Sequence, residues 1–447
     1  MIKKYLRNKI LQIKGEDFQK EYSEISGINS DKQLAIFQKE NLEKLILYAY
    51  KNVPYYTNIF KDIDLVHNEK VDLSKFCSIP LLTKQMLREH YQELISKDCV
   101  QKKSYCNSSG GSTGEPTKFL QDRVYRKWSN AASQYYYQNI LKIDDRDVRN
   151  IVLWGSTRDL FENKASLTQK ISDCLNNRIM LNSFKMTEEN MSSYINIINS
   201  YKPTIIRGYA GSLYGLCKYA ERNILKIYTP KLIISAAETL RDDMREKIEQ
   251  IFQTKLYDFY GSRETSSLAG ECKFGFKHML SFNQYIEVVN DVNCSVKVGQ
   301  EGKVVVTTLH NYSMPLIRYE IGDTAILGPE KCQCGNILPT FAKITGRITD
   351  HFILQNGTII PAEYFIHLIG VICNKGFIKQ FQVIQENYQK LRILVILQRA
   401  MDVIEKLDIE NKIKLVMGQD CQIIWEIVQE IPKTSQGKYV YTKSLIH

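Results

Sequence analysis

The sequence contains no long apolar run. A membrane-spanning helix needs ~18 or more consecutive apolar residues, and no stretch of this chain reaches that length. Residues 1–7 are basic, but Lys, Arg and Asn interrupt the segment that follows, so the apolar core of a signal peptide does not form. Both absences predict a chain without a transmembrane segment that works in the cytoplasm.

The cysteines lack the pattern of a secreted disulfide framework. They number 11, which is odd, and most stand far from any other cysteine. A reducing compartment keeps such scattered thiols free, so this usage also favours the cytoplasm. The exception is the closely spaced pair Cys332 and Cys334, which Gly335 follows.

Charge of one sign is not concentrated anywhere. The chain has 60 Lys and Arg against 49 Asp and Glu, a net charge of +11, and its basic residues are spread out. A diffuse positive field suits anionic ligands such as nucleotides, and also acidic lipid surfaces, but the same spread is typical of a solvated surface. No aromatic-basic motif of the kind that binds nucleic acids is recognised, which ranks nucleic-acid binding last.

Composition and hydrophobic periodicity predict a globular α/β protein of more than one domain. Hydrophobic residues make up 44% of the 447 positions, enough for a sizeable core, and the length corresponds to about two or three domains. The first ~100 residues have helical spacing, for example between Gln33 and Tyr50. The middle of the chain alternates short apolar runs with amphipathic stretches, which predicts strand–helix–strand units with parallel pairing. The predicted middle strands are Ile151–Gly155, Thr204–Gly208, Leu232–Ser235, Leu256–Gly261 and Lys303–Leu309.

The last ~100 residues have a different character, with strands at Gln382–Ile384 and Leu391–Leu397 and a helix at Met401–Met417. That is the size of a separate small α+β domain. We therefore predict a large domain over residues 1–346 and a small domain over residues 347–447. No repeat and no low-complexity linker is present, so a short hinge is expected between them.

The strongest local signal for chemistry is the segment Ser108–Thr117. Its glycines allow close approach of the backbone to a ligand, and its hydroxyl side chains can donate to phosphate oxygens. It is not a Walker motif, because no Gly-Lys-Ser/Thr ends it. Composition alone leaves two interpretations open, a phosphate-binding loop and a flexible turn.

Further segments in a fixed order resemble the adenylate-forming superfamily, and within it the CapK-like branch of the phenylacetate–coenzyme A ligase family. The resemblance covers nearly the whole chain. It implies a large AMP-binding domain followed by a small mobile domain. The segments that carry it, beside the Gly-rich loop, are Asn52–Tyr56, Ile79–Lys84, Ser235–Thr239, Tyr260–Glu264, Arg318–Asp323, Gly346–Asp350 and Pro432–Lys438.

The resemblance implies a nucleotide site. Tyr260 would stack on adenine, Asp323 would accept hydrogen bonds from the ribose hydroxyls, and Glu264 would bind Mg²⁺. Arg263 departs from the family, which has a hydroxyl residue there that contacts the α-phosphate; Arg263 would provide that contact by its charge, and the alternative is that it points away. The remaining residues implied to bind ATP or AMP are Ser109, Gly110, Gly111, Ser112, Thr113, Gly114, Ala237, Glu238 and Gly261. Alternative interpretations are a helix N-terminal charge for Glu238 and a buried turn for Asp323.

The C-terminal part of the resemblance implies a hinge and a catalytic lysine. Arg347 would reach the nucleotide, and the chain would pivot just after it. The family has two aspartates at the end of this hinge segment, whereas this chain has Thr349 before Asp350. Lys438 aligns with the family's catalytic lysine, whose ammonium can neutralise charge on the α-phosphate as pyrophosphate leaves. Without that context, an exposed lysine would be the ordinary interpretation.

Three thiols and one imidazole form a second constellation. Cys272 and His278 are close in sequence, and Cys332 and Cys334 come later. Such a set can bind Zn²⁺ tetrahedrally with no position left for a catalytic water, as structural zinc sites do. Relatives among the phenylacetate–coenzyme A ligases have a similar pairing, which implies structural zinc. The alternative is a set of reduced cysteines and a surface histidine.

Three functions follow from the resemblance. The first is an ATP-dependent ligase that joins a small-molecule carboxylic acid to coenzyme A. The second keeps adenylation but passes the acyl group to an amine or hydroxyl of a sugar precursor or polysaccharide. The third is a degenerate scaffold without turnover, against which the joint presence of Glu264, Asp323, Arg347 and Lys438 argues.

Overall fold

The computed structural model describes residues 2–109, 117–155, 167–184, 186–345, 352–356, 359–360, 362–373, 377–432 and 440–446. The α-helices in this part of the chain are α1 (Ile2–Lys14), α2 (Gln19–Ser26), α3 (Asp31–Asn52), α4 (Pro54–Asp62), α5 (Lys84–Glu89), α6 (Arg123–Tyr135), α7 (Leu167–Leu175), α8 (Glu188–Tyr201), α9 (Ala210–Arg222), α10 (Asp242–Phe252), α11 (Ala362–His367) and α12 (Val403–Met417). None of them has the length and apolar content that a bilayer crossing requires.

The strands of the first half are β1 (Val66–His67), β2 (Lys70–Val71), β3 (Tyr105–Ser109), β4 (Thr117–Gln121), β5 (Asn150–Trp154), β6 (Arg178–Asn182), β7 (Ile205–Gly208) and β8 (Leu232–Ala236). Those of the second half are β9 (Leu256–Ser262), β10 (Ser266–Glu271), β11 (Lys277–Met279), β12 (Gln284–Val289), β13 (Glu301–Thr308), β14 (Tyr319–Leu327), β15 (Thr340–Ile344), β16 (Phe352–Ile353), β17 (Ile359–Ile360), β18 (Ile378–Asn387), β19 (Lys390–Leu397), β20 (Gln422–Ile427) and β21 (Thr442–Ser444). Every strand predicted from the sequence has its counterpart here, and the α/β fold class is confirmed.

The first of two compact units consists of Met1–Ser109, Thr117–Asp144 and Phe259–Gly346. Its main sheet has the order β12-β13-β14-β15-β11-β10-β9, with antiparallel pairing between neighbours. Helix α3 packs its predicted apolar face, including Leu45 and Ile46, into a core with Val304 and Val306 of β13. The β-branched run in β13 suits a strand buried in this way. In this sheet β9 and β10 are neighbours, and β11 and β15 lie between them and β14.

The second unit consists of Gly110–Pro116, Asp145–Asp258 and Arg347–His447. One of its sheets is parallel, in the order β8-β7-β5-β6, and every residue of β8 is buried, as expected for a parallel strand covered on both faces. The other sheet has the order β20-β19-β18-β21, and α12 begins at a capping box formed by Asp402 and Glu405. The predicted domain boundary after Gly346 lies among residues 346–351, which are outside the described part of the chain, so it stays a prediction.

Candidate active site

Tyr260 and Gly261 lie near the end of β9, and Arg263 and Glu264 lie in the turn that joins β9 to β10. A Cβ on Gly261 would lie 2.5 Å from the carbonyl oxygen of Ser266, so only glycine allows the two strands to approach this closely. The turn is closed by the Thr265 backbone N–H, which donates to the Ser262 hydroxyl at 3.1 Å. These local features fix the backbone positions from which the Tyr260 and Glu264 side chains extend.

Two hydrogen bonds join this turn to the start of β14. The Tyr260 hydroxyl donates to Oδ2 of Asp323 at 2.9 Å, and the Tyr319 hydroxyl donates to Oε1 of Glu264 at 3.3 Å. The tyrosine of the Tyr260–Glu264 motif therefore donates to the carboxylate of the Arg318–Asp323 motif, and the tyrosine of the second motif donates to the carboxylate of the first. The structure thus brings together three residues that the sequence assigns to the nucleotide site. Tyr319, which lies within one motif, was not among the predicted site residues.

Lys84 is a residue of this site that the sequence analysis did not assign. Its Nζ lies 3.2 Å from Oε1 of Glu264, with side-chain exposures of 11% and 4%. The segment before it pairs with β14, since the Leu82 N–H donates to the Arg318 carbonyl at 2.9 Å and the Glu320 N–H donates to the Leu82 carbonyl at 3.0 Å. Thr83 then caps α5. The signal was present, because Lys84 ends one of the segments that carried the resemblance.

Arg318 has a structural role in the first unit. Its guanidinium is fully buried and forms an ion pair with Glu287 at 3.0 Å. It also donates to the carbonyls of Cys77, Ile79 and Asn293. Arg318 therefore ties the segment that precedes Lys84 to the main sheet, and its buried charge is compensated by Glu287.

Arg263 lies next to the hairpin that leads into the Gly-rich loop. Its Nη1 donates at 3.1 Å to the carbonyl of Ser108, the next-to-last residue of β3 before that loop. Gln121 of β4 donates to the carbonyls of Arg263 and Glu264, both at 3.1 Å. The β3–β4 hairpin is thus bonded to the β9–β10 turn. Of the predicted loop residues, the backbone of Ser109 ends β3, and Gly110, Gly111, Ser112, Thr113 and Gly114 lie outside the described residues.

In the second unit, Ala237 and Glu238 follow the end of β8. Ala237 has φ +69°, a left-handed conformation that costs about 1–2 kcal/mol for a residue with a Cβ. The Glu238 carboxylate accepts a hydrogen bond of 2.6 Å from the backbone N–H of Gly211, in the first turn of α9. Its Oε1 is buried and has no hydrogen-bond partner in the described part of the chain. Glu238 is thus a helix N-terminal charge, although on α9 and not on the helix that follows it in sequence.

Two aromatic side chains, one at the end of β5 and one just after β7 of the parallel sheet, take part in the core of the second unit. Tyr209 is 2% exposed and lies in one buried cluster with Phe184 and Tyr364, and the centre of the Trp154 ring lies 4.4 Å from that of Tyr209. These contacts give both rings a structural role.

The four predicted zinc ligands lie together. The ligand atoms of Cys272, His278, Cys332 and Cys334 are all within 4.8 Å of one another. His278 is fully buried, and its Nδ1 lies 3.0 Å from the Leu338 carbonyl while its Nε2 lies 3.1 Å from the Cys334 sulfur. If Nδ1 carries the proton and donates to this carbonyl, the Nε2 lone pair faces the thiols, as in metal-binding histidines. Three sulfurs and one nitrogen fit Zn²⁺.

Backbone pairing explains how the zinc ligands meet. In β11, His278 pairs with Gly270 of β10 on one side and with Thr340 of β15 on the other. Cys272 directly follows β10. The turn that contains Cys332 and Cys334 is closed by Gly335, which has φ +79° and whose backbone N–H donates to the Cys332 carbonyl at 3.0 Å. Three neighbouring strands therefore hold the two sequence-distant pairs side by side.

Arg347, Thr349, Asp350 and Lys438 lie outside the described residues. Their roles stay predictions from the sequence.

Comparisons with known proteins add family evidence. The CapK C-terminal domain family model matches residues 352–444. The chain is 25% identical to Protein CapK of Staphylococcus aureus over 97% of its own length and 95% of that protein. It is 24% identical to the phenylacetate-coenzyme A ligase of Thermus thermophilus over 76% of each chain.

A solved structure of similar fold is that of 2-hydroxyisobutyryl-CoA ligase in complex with 2-HIB-AMP and CoA in the thioesterification state. It has a TM-score of 0.59 and 17% identity, and the alignment covers 93% of this chain and 90% of that one. At this identity the likeness concerns the fold.

Proposed function

We propose that this chain is an adenylate-forming ligase of the CapK-like branch of the phenylacetate–coenzyme A ligase family, and that it activates a carboxylic acid with ATP and transfers the acyl group to coenzyme A. The observation that carries this proposal is the crossed pairing of two tyrosines and two carboxylates. Tyr260 bonds Asp323, and Tyr319 bonds Glu264, so residues from two distant motifs share one site.

The proposed first step is adenylation. A carboxylate is a poor electrophile, because its leaving group would be an oxide dianion. Its oxygen attacks the α-phosphorus of ATP, the bond to the β-phosphate breaks, and pyrophosphate leaves with the acyl-adenylate as product. Both reactants are anions, so the site has to supply donors and positive charge.

The described residues have groups suited to parts of that task. Asp323 can accept from ribose hydroxyls, and the Tyr260 ring can stack on adenine while its hydroxyl holds Asp323. Glu264 is a buried carboxylate of the kind that Mg²⁺ favours together with substrate phosphates. Bound Mg²⁺ would neutralise phosphate charge. Lys84 and Tyr319 hold the Glu264 carboxylate in place from the side of α5 and β14.

The second proposed step is acyl transfer. The coenzyme A thiol, once deprotonated, attacks the acyl carbon, and AMP leaves with the bonding electrons of the acyl–oxygen bond. We assign Lys438 and Arg347 to the nucleotide from their sequence motifs. We also propose that Cys272, His278, Cys332 and Cys334 hold a structural zinc, since their donor set and spacing fit that ion.

The test uses the full chain with ATP, Mg²⁺ and a panel of aryl, acyl and amino acids. Acid-dependent exchange of pyrophosphate into ATP reports adenylation, and mass spectrometry after addition of coenzyme A reports the thioester. We expect at least one acid to support both. If ATP binds but no acid of the panel supports exchange, the enzymatic proposal is wrong. The chain would then be a scaffold that binds nucleotide without turnover.

A second candidate acceptor is an amine or hydroxyl of a sugar precursor or polysaccharide. It is favoured by the match to Protein CapK, which spans 97% of this chain. The same assay separates the two acceptors. If an acid supports exchange but yields no thioester with coenzyme A, the acceptor is the amine or hydroxyl and not coenzyme A.

A further inference from the structure

The spread of charge along the sequence has an exception in helix α1. The 13 residues Ile2–Lys14 include no acidic residue. They include five basic residues, which are Lys3, Lys4, Arg7, Lys9 and Lys14. The chain as a whole has 60 Lys and Arg against 49 Asp and Glu, so this helix is much more one-sided in charge than the chain that it belongs to.

One face of α1 is apolar and open to solvent. Tyr5, Leu6 and Ile13 are 62%, 45% and 84% exposed. Spacings of three, four and seven residues put Leu6, Lys9 and Ile13 on one side of the helix, and Tyr5 lies one turn before Lys9. The Lys9 ammonium lies 5.9 Å from the centre of the Tyr5 ring. These four residues form the exposed stripe of α1, and apolar side chains that are exposed together mark a site of interaction with a protein or a membrane.

The first unit holds α1 by its other side. Arg7, which points away from the exposed stripe, is 4% exposed, and the Lys4 ammonium lies 3.9 Å from the Asp144 carboxylate. Directly after the helix, Glu16 forms an ion pair with Arg126 at 3.0 Å. These contacts fix α1 with its exposed stripe outward. They also give each of the two acids a cation outside that stripe.

The dimensions of α1 favour a bilayer surface over a protein partner. A stable protein interface takes about 20–30 residues from each side. The residues of α1 that the structure describes as exposed are Lys3, Lys4, Tyr5, Leu6, Lys9, Gln12, Ile13 and Lys14. A second copy of the helix would bring the same positive charge, which is repulsive. At 1.5 Å per residue α1 is about 20 Å long, too short to cross a ~30 Å hydrocarbon core but long enough to lie along its surface.

The side chains of α1 match an anionic lipid surface in particular. A helix that lies in the plane of a membrane buries its apolar face at the boundary between headgroups and acyl chains. A lysine next to that face keeps its stem among apolar groups and extends its ammonium to the phosphates, which accommodates Lys9 within the exposed stripe. Anionic lipids also attract cations that lie close to the surface, as Lys3 and Lys14 beside the stripe would.

We propose that α1 is a membrane-surface helix that binds anionic phospholipids. The side chains of Tyr5, Leu6 and Ile13 enter the boundary of the acyl chains, and Lys9 and Lys14 contact the phosphates. The attachment is peripheral, because the helix lies on the bilayer and does not cross it. The inference goes beyond the proposed function and does not depend on it, since α1 contributes no residue to the candidate active site.

The experiment is co-sedimentation of the full chain with vesicles of phosphatidylcholine mixed with phosphatidylglycerol, and with vesicles of phosphatidylcholine alone. Leu6→Gln/Ile13→Gln tests the apolar part of the exposed stripe and keeps its charge, and glutamine is a good helix former. The control is Ile224→Gln/Val292→Gln, because those two side chains are 92% and 75% exposed outside α1.

A second pair of variants tests the charge. Lys9→Gln/Lys14→Gln removes two cations from α1. Its control, Lys70→Gln/Lys231→Gln, removes the same charge from exposed lysines outside α1. All of these side chains are exposed, so the Tm of every variant should equal that of the wild type, and this is measured first.

We expect the wild type to bind the mixed vesicles and not those of phosphatidylcholine alone. Each test variant should raise Kd for the mixed vesicles ~10-fold or more, while the controls bind as the wild type does. If the wild type does not bind the mixed vesicles, binds both kinds equally, or loses no affinity in the test variants, the inference is wrong. Sedimentation velocity without lipid covers the other occupant: a dimer that Leu6→Gln/Ile13→Gln abolishes would assign the stripe to a second copy and overturn the inference.

Discussion

Glu264 is a buried carboxylate whose charge is compensated within the protein. It is 3% exposed, and Lys84 and Tyr319 contact the same carboxylate oxygen. Taking a carboxylate out of water costs several kcal/mol unless a cation accompanies it. Lys84 therefore stabilises the fold around the site as well as the orientation of Glu264.

This pairing predicts the effect of removing the cation. Lys84→Met should lower the free energy of unfolding by ~3 kcal/mol, because Glu264 is left buried without its partner. The double variant Lys84→Met/Glu264→Gln should recover most of that loss, since no uncompensated charge remains. Denaturant unfolding of the variants measures both effects. Equal stability of the single and double variants would show that the ion pair does not matter.

The contributions of Asp323 and of the Tyr260 hydroxyl to ATP binding can be separated by a matched pair of substitutions. Asp323→Ala should weaken ATP binding ~10-fold or more, because hydrogen bonds to a charged group are worth ~1.5–3 kcal/mol. Tyr260→Phe keeps the ring and removes only the hydroxyl that bonds Asp323, so its effect should be clearly smaller. Calorimetric titration with ATP measures both. Unchanged affinity in Asp323→Ala would remove the ribose contact from the proposal.

Lys438 should act on the transition state more than on binding. Lys438→Ala is expected to reduce acid-dependent pyrophosphate exchange by ~10²–10³-fold while ATP affinity changes little. Lys433→Ala is the control, because Lys433 lies in the same segment but does not align with the catalytic position. Equal exchange in the two variants would exclude the assigned role.

At the scale of elements, the sequence predicted what depends on local pattern. Alternation and helical spacing located α3, β8 and β13, and the motif residues Tyr260 and Asp323 lie together as the resemblance implied. It did not predict the contact of Lys84 with Glu264, which depends on Leu82 pairing with β14 across a large sequence separation. Nor did it predict that Glu238 bonds the first turn of α9, because the helix it caps precedes it in the chain.

The predicted zinc ligands lie in or beside β10, β11 and the segment before β15, so loss of the metal should act on stability first. We expect one zinc per chain by elemental analysis of protein purified without chelator. Cys332→Ser should remove it and lower Tm by ~5 °C or more, since structural zinc contributes folding energy. The exposed Cys294 provides the control, and Cys294→Ser should change neither zinc content nor Tm. Zinc-free wild-type protein would contradict the assignment.

At the scale of the whole molecule, the resemblance implies that the two proposed half-reactions use different positions of the C-terminal domain. The resemblance puts the pivot just after Arg347, in the segment that ends at Asp350. A rotation there requires backbone dihedral angles to change between adenylation and acyl transfer. A substitution that restricts one such angle should therefore separate the two reactions without touching the nucleotide site.

Asp350→Pro is that substitution, because proline fixes φ near −65° and restricts the residue before it. We expect the rate of one half-reaction to be retained and the rate of the other to fall ~10-fold or more. If proline favours the adenylation position, exchange is retained and acyl transfer is lost. If proline favours the acyl-transfer position, the reverse is expected. Thr349→Ala, next to it, keeps backbone freedom and should lower neither rate selectively. Exchange and product formation are measured on the same preparation of each variant, with Tm as the check on folding. If Asp350→Pro leaves both half-reactions at the wild-type rate, rotation at Asp350 is not part of the cycle, and the hinge lies elsewhere in the chain.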